Sequence, residues 1–476
     1  MSIMQYRRRI KGQTISRTAG VIAGTIVAGS ASAHASEQGL VLLLPTGIYA
    51  TAGVACVVLT VLLMMRLPQT VLERVFRPWL LWPVPRRRSR WALVTSGLSA
   101  LGLMLLVWAG LTGSRDPLTN PLPLTIWTVF WVACVSVQGL LGDLWRWINP
   151  WTGPVALTRR MLRLRPFLPL PARLGHGAAL LTFLGFAGLL LADPAPSDPA
   201  RLAAYCLGYW LFTYLALLAF GPRWAWRGEG FTMLMRNYAL LSLFGRRRGR
   251  RAIGPVGWQA LRHRVPPVGV AVFMLTMLGS GSFDGLNETF WWLDILGLNP
   301  LEFPGRSAII WQTLAGLVVA NAGLILIYAL SLWLGVRLTG CDLALDRAFC
   351  LFAPSILPIA LGYHIAHYLT SFLVDGQYVL AALNDPLARG DDLLGRGASY
   401  VTTGFFNTPD SVRLIWLTQA AAVVIGHVLA VAMAHVLALR QFGTRRLATL
   451  SQTPLAVFMV LYTLFGLWLL ASPRGL

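Results

Sequence analysis

Charge is scarce in this sequence. Only 12% of its 476 residues are Asp, Glu, Lys or Arg, against about 25% in an ordinary soluble domain. With 56% hydrophobic residues and a mean hydropathy of +0.62, that shortage excludes a string of soluble domains and points to one integral membrane domain. Lysine is nearly missing: Lys11 is the only one, flanked by arginine, which reads as a GC-rich codon bias rather than as chemistry. The five cysteines (Cys56, Cys134, Cys206, Cys341, Cys350) form no CxxC pair and mostly lie in apolar runs, as small packed hydrophobes do. A P-loop, any other Gly-rich phosphate loop, HExxH and a recognisable Ser–His–Asp set are all absent, so neither an ATPase nor a hydrolase is indicated. Whether the chain is an enzyme stays open.

Acid is short as well, leaving a formal net charge of +22. In a soluble chain that excess would suggest nucleic acid, so the position of the arginines decides. They cluster in every second loop, the pattern of membrane topology and not of a DNA-binding face. No nucleic-acid partner is expected.

The first 35 residues read as a secretory signal peptide: a basic stretch (Arg7, Arg8, Arg9, Lys11, Arg17), a short apolar core, then small residues. Cleavage after Ala33 would leave His34 at the terminus, offering an amine and an imidazole to a metal such as copper. Cleavage after Ala35 would leave Ser36. Residues 36–476 then form a single membrane domain. Apolar runs near 40–65, 91–112, 122–142, 176–192, 200–220, 266–283, 307–336, 347–373, 412–439 and 454–472 each reach roughly the 17 residues a crossing helix needs. The fold expected is an all-α polytopic transmembrane helix bundle of about ten spans plus interfacial helices. Pro354 and Pro358 give the 347–373 run a cause to kink.

Loop charge tests this count. The 66–90 loop holds seven arginines, the 143–175 loop six, and the 221–265 loop carries RRRGRR at Arg246–Arg251. The loops between them are acidic or neutral, among them the stretches with Asp193 and Asp198, with Asp284 and Glu288, and with Asp375 to Asp410. Strict alternation fits the positive-inside rule for a bacterial inner-membrane protein with its mature N-terminus and its C-terminus both outside. Asp143–Trp151, with three tryptophans, Phe231–Phe244, and the outer Glu288–Asn299 stretch all read as interfacial anchors. The second would lie on the inner leaflet, held by anionic lipid.

Four of the seven histidines sit in two successive apolar runs, where ionisable groups are costly and mark function. At about 100° per residue, His364, His367, Tyr368, Ser371 and Asp375 share one helix face. Gln419, His427 and, further round, His435 stripe the next helix, and Asn321 and Tyr328 could line the same pocket. Three readings follow. His364, His367 and His427 could form a transition-metal site, with Asp375, Tyr368, His435, Gln419 and Asn321 as supporting groups or an outer gate. One histidine from each helix could ligate a b-type haem, giving an electron-transfer or quinone-linked subunit; no histidine pair shows the spacing expected of two stacked haems. Or the histidines are neutral, hydrogen-bond across helices and relay protons without a cofactor.

The segments LLGDLWRWINPW at Leu140–Trp151 and Pro354–Tyr368 resemble those of a family of uncharacterised bacterial multi-span membrane proteins. The resemblance covers most of the chain loosely, implies a polytopic inner-membrane fold and implies no activity. The sequence favours transport or handling of a small solute or transition-metal cation through a histidine-lined site. A haem-bearing redox subunit and an assembly subunit of a larger membrane complex are the alternatives.

Overall fold

The computed structural model describes residues 41, 43–84, 90–302, 305–395, 397 and 400–474. The signal segment with its cleavage points, and Arg86–Arg88, lie outside the described residues. Nine helices among those described are long and apolar enough to cross a membrane. They are α1 (Thr46–Met64), α2 (Trp91–Thr112), α3 (Pro121–Leu140), α5 (Pro199–Phe220), α7 (Val268–Asn287), α8 (Ile310–Thr339), α9 (Leu345–Asn384), α10 (Pro409–Phe442) and α11 (Arg445–Ala471). The run expected at 176–192 forms α4 (Gly177–Ala192), which has 16 residues. At 1.5 Å per residue it extends about 24 Å, shorter than the roughly 30 Å hydrocarbon layer, yet it connects the basic 143–175 loop with the acidic stretch of Asp193 and Asp198. The molecule is an all-α, multi-pass membrane bundle.

Leucines at 98, 101 and 105 on α2 and at 326, 330 and 334 on α8 point outward and stay exposed. Lipid is the solvent that accepts such a surface. At the centre the pattern reverses. Phe273–Leu278 of α7 and Leu357–Tyr363 of α9 are buried all round, as a helix apolar on every face must be. Two central helices depart from regular winding. Leu124–Cys134 of α3 is wound as a π-helix, and α9 is broken by a 3-10 turn at Ala353–Ile356, where Pro354 interrupts the hydrogen-bond ladder.

Cross-chain contacts sort the loops to two ends. At the arginine-rich end a three-stranded antiparallel sheet joins β1 (Trp79–Pro83) to β3 (Arg250–Ile253) and β3 to β2 (Phe244–Arg247). The last turn of α10 reaches the same end, where Arg440 pairs with Glu73 at 3.2 Å. At the opposite end Arg474 pairs with Glu288 at 3.5 Å, and Arg115 with Asp198 at 3.7 Å. The basic loops therefore do gather on one face.

RRRGRR makes a hairpin. Arg248 and Gly249 both adopt positive φ, 51° and 74°, the backbone a two-residue hairpin turn demands. The stretch before it departs further from expectation. Gly230–Ala239 forms α6, whose Met233, Leu234, Met235 and Tyr238 are all buried in the bundle. A surface helix on the inner leaflet is thus corrected to an internal one: its apolar face packs on protein instead of lipid. Asp143–Trp151 is corrected in part too. Trp145 and Trp151 are buried, and their indole N–H groups donate to Thr232 Oγ1 and to the Trp210 carbonyl, each at 3.0 Å.

Candidate functional site

Asp284 is where the ionisable chemistry converges. It lies in the last turn of α7, is buried, and faces α9. Its Oδ2 accepts from His367 Nε2 at 3.2 Å and from the Tyr368 hydroxyl. His367 Nδ1 is buried without a partner, and so is the Tyr363 hydroxyl. Gly285 leaves room for that hydroxyl, since a Cβ at 285 would come within 1.9 Å of it. Next along α9, His364 Nε2 donates to the Trp131 carbonyl at 3.0 Å, in the π-wound part of α3. That bond fixes the tautomer and leaves Nδ1 as the acceptor. Trp131 meets the His364 ring edge-on at 5.2 Å, and Tyr238 of α6 lies 6.5 Å away.

These groups line a small cavity of about 30 Å³, with Ser280, Met277 and Leu234 among the other walls. Such a space holds about two water molecules. It suits a proton and its waters, not a solute. A far larger cavity of about 700 Å³ opens at the arginine-rich end and reaches inward to Met274. Met274 and Met277 are one turn apart on α7. On α6, Met233 and Asn237 face the large cavity while Leu234 and Tyr238 face the small one. Helices α6 and α7 thus contribute walls to both cavities.

His427 is not part of this cluster. Its Nδ1 donates to the Val423 carbonyl at 2.9 Å in its own helix, and its ring lies 6.3 Å from Tyr462 on α11. His435 likewise turns to α11, where Gln452 Nε2 donates to its Nδ1 at 3.2 Å. The reason is the crossing of α9 and α10. Gly362 and Gly426 bring the two backbones together, and a Cβ on either would strike a carbonyl of the other helix at 2.4 or 2.6 Å. With Gly362 facing α10, His364 two residues on is rotated by about 200° and faces away. The expected His364–His367–His427 centre is therefore not assembled. Among the described residues no group of three or more His, Cys, Asp or Glu side chains could hold a metal ion. Nor does the small cavity fit a haem, which needs a pocket of the order of 300 Å³ or more.

The remaining expected residues brace the site from outside. Gln419 Nε2 donates to the Ala366 carbonyl at 2.9 Å, tying α10 to α9. Asn321 Nδ2 donates to Ser280 Oγ at 3.2 Å, behind the cavity wall. Tyr328 donates to the Phe349 carbonyl at 3.2 Å, steadying α9 before its break. Asp375 is half-buried two turns beyond His367 and does not line the cavity. Asp284 was missed because the apolar run ends at 283; α7 continues one turn further. The signal available was Ser280, Ser282 and Asp284 at helical spacing in GSGSFD.

Comparison with protein-family models, with curated proteins and with solved structures finds no match to this chain. Its own geometry defines the class: a multi-pass helical membrane protein with a buried Asp–His–Tyr cluster beneath a basic vestibule.

Proposed function

We propose that the protein is a proton-linked membrane transporter of a small solute, with Asp284, His367 and Tyr368 as the proton-binding station. It would lie in a bacterial inner membrane with its arginine-rich end in the cytoplasm, as the positive-inside rule directs. The observation that carries the reading is the buried carboxylate inside a spanning helix, held by two titratable side chains around a water-sized cavity. Ionisable groups buried within spanning helices are costly and mark proton or substrate pathways. A proton arriving at His367 Nδ1 would make an imidazolium against the Asp284 carboxylate, and His364 Nδ1 offers a second acceptor. The walls that α6 and α7 give to both cavities, and the break in α9, are features an alternating-access cycle would use.

Sealed proteoliposomes loaded with a pH dye test the idea. Inward gradients of sugars, amino acids, organic acids and cations are imposed in turn, and one class should acidify the lumen. Asp284→Asn should abolish that signal at least tenfold, while Gln377→Ala, outside the cluster, keeps it. Solute flux without proton movement, or equal signals from wild type and Asp284→Asn, would sink the proposal. So would a Soret band in the purified protein, which would return the redox reading.

A further inference from the structure

The large cavity at the arginine-rich end has walls that nothing in the proton pathway explains. Arg146, Arg227, Arg236, Arg246, Arg251 and Arg264 all line it, with Asp143 the only carboxylate among the described residues there. Asp143 is already engaged, accepting from Gln138 Nε2 at 3.2 Å and from the Arg146 backbone N–H at 3.3 Å. Among the described residues none of the six arginines pairs with an acid: the ion pairs use Arg115, Arg201, Arg440, Arg474 and His367.

Topology alone does not ask for this. The positive-inside rule requires arginines in these loops, and water would solvate them if they pointed outward. Here the fold gathers them around one open, solvent-reached space, with Arg246, Arg251 and Arg264 still exposed. Arg246 and Arg251 sit directly opposite each other in the β2–β3 register, which places their Cβ atoms roughly 5 Å apart. Like charges so placed destabilise a hairpin unless something neutralises them. Two others are held in position beforehand. Arg236 lies 3.7 Å above the Trp226 ring, and Arg227 donates to the carbonyls of Gly175 and Ala172 at 2.9 and 3.0 Å. The field is felt locally. Burial, then Arg227 and Arg236, push the His176 pKa down; burial, then Arg146 and Arg251, lower that of Arg246.

We infer that this vestibule is a binding site for a phosphate-bearing anion of small-molecule size. Its volume of about 700 Å³ lies within the roughly 300–1,000 Å³ of small-ligand pockets. Planar guanidinium forks match phosphate oxygens two at a time. The same chemistry serves a soluble phosphate compound or the headgroup of an anionic phospholipid. The inference stands apart from proton coupling: the vestibule would bind an anion whether or not Asp284 titrates.

Full-length protein in phosphatidylcholine nanodiscs is titrated with pyrophosphate by calorimetry. In a second arm, native mass spectrometry compares retention of phosphatidylglycerol with that of phosphatidylcholine. One arm should show binding that Arg246→Gln/Arg251→Gln weakens tenfold or more. The equally charged control Arg160→Gln/Arg165→Gln, away from the cavity, should change it less than twofold. Pyrophosphate binding assigns a soluble ligand, and preferential retention of phosphatidylglycerol assigns a lipid. The Arg246→Lys/Arg251→Lys variant keeps the charge and loses the fork, so it should fall between. No binding in either arm, or equal weakening by both glutamine pairs, overturns the inference.

Discussion

Asp193 shows what a single carboxylate does at the end opposite the arginines. It accepts from Arg201 Nε at 2.9 Å and Nη2 at 2.8 Å, from the Tyr205 hydroxyl at 2.9 Å and from the Ala195 N–H at 2.8 Å. Burial pushes its pKa up, but the Arg201 guanidinium and the hydrogen bonds outweigh that and hold it below the ordinary carboxylate value. A group depressed in the folded state adds stability above its unfolded pKa, about 3.9 for aspartate. That contribution is lost as pH falls through the folded value. Asp193→Asn should therefore lower the thermal midpoint near pH 7, and the gap to wild type should close on acidification below about pH 4. A gap of constant size across that range would refute the assignment. The same scale shows what the sequence made legible. His364, His367 and Tyr368 were visible on one face because helical spacing alone decides that. Asp284, the partner of His367 and Tyr368, was not, since one more turn of α7 is set by packing against α9 and not by hydropathy.

Between α9 and α10, backbone contact governs how the elements meet. Replacing Gly362 by Ala would gain up to about 1 kcal/mol of helix propensity in isolation. Its methyl would meet the Ala422 carbonyl oxygen at 2.4 Å, and a main-chain carbonyl cannot rotate aside as a side chain can. The clash should win, costing about 1–3 kcal/mol as overpacking does. Gly323→Ala on α8, with nothing within 4 Å of the added carbon, should be neutral or slightly stabilising. Unfolding in detergent, followed by tryptophan fluorescence, compares the two, and equal effects would count against the tight crossing. This crossing also explains why the histidine stripes parted. Sequence periodicity gives each helix its polar face, but the glycines set which way that face turns. For α6 the ambiguity is different: an amphipathic decamer reads alike whether its apolar side meets lipid or protein.

Over the whole molecule, the two ends are distinct in charge and in contacts. The sheet binds the 66–90 and 221–265 loops together, and Arg440 joins them through Glu73. The chain's last described residues meet the 284–302 stretch instead, through Arg474 and Glu288. Alternation of loop charge was readable from sequence because arginine position follows the membrane and not the fold. The vestibule was not readable, because it needs two separate loops folded around one space. Alternation alone also leaves the bundle free to be inverted, so orientation calls for its own measurement. In a background with all five cysteines changed to alanine, Asn407→Cys and Arg248→Cys mark opposite ends, and both positions are exposed. With the arginine-rich end in the cytoplasm, an impermeant maleimide should label position 407 in intact spheroplasts. Position 248 should react only after the membrane is opened. The reverse pattern would put the vestibule outside, beyond reach of cytoplasmic phosphate compounds and of inner-leaflet headgroups, and would direct the search for its ligand to the periplasm.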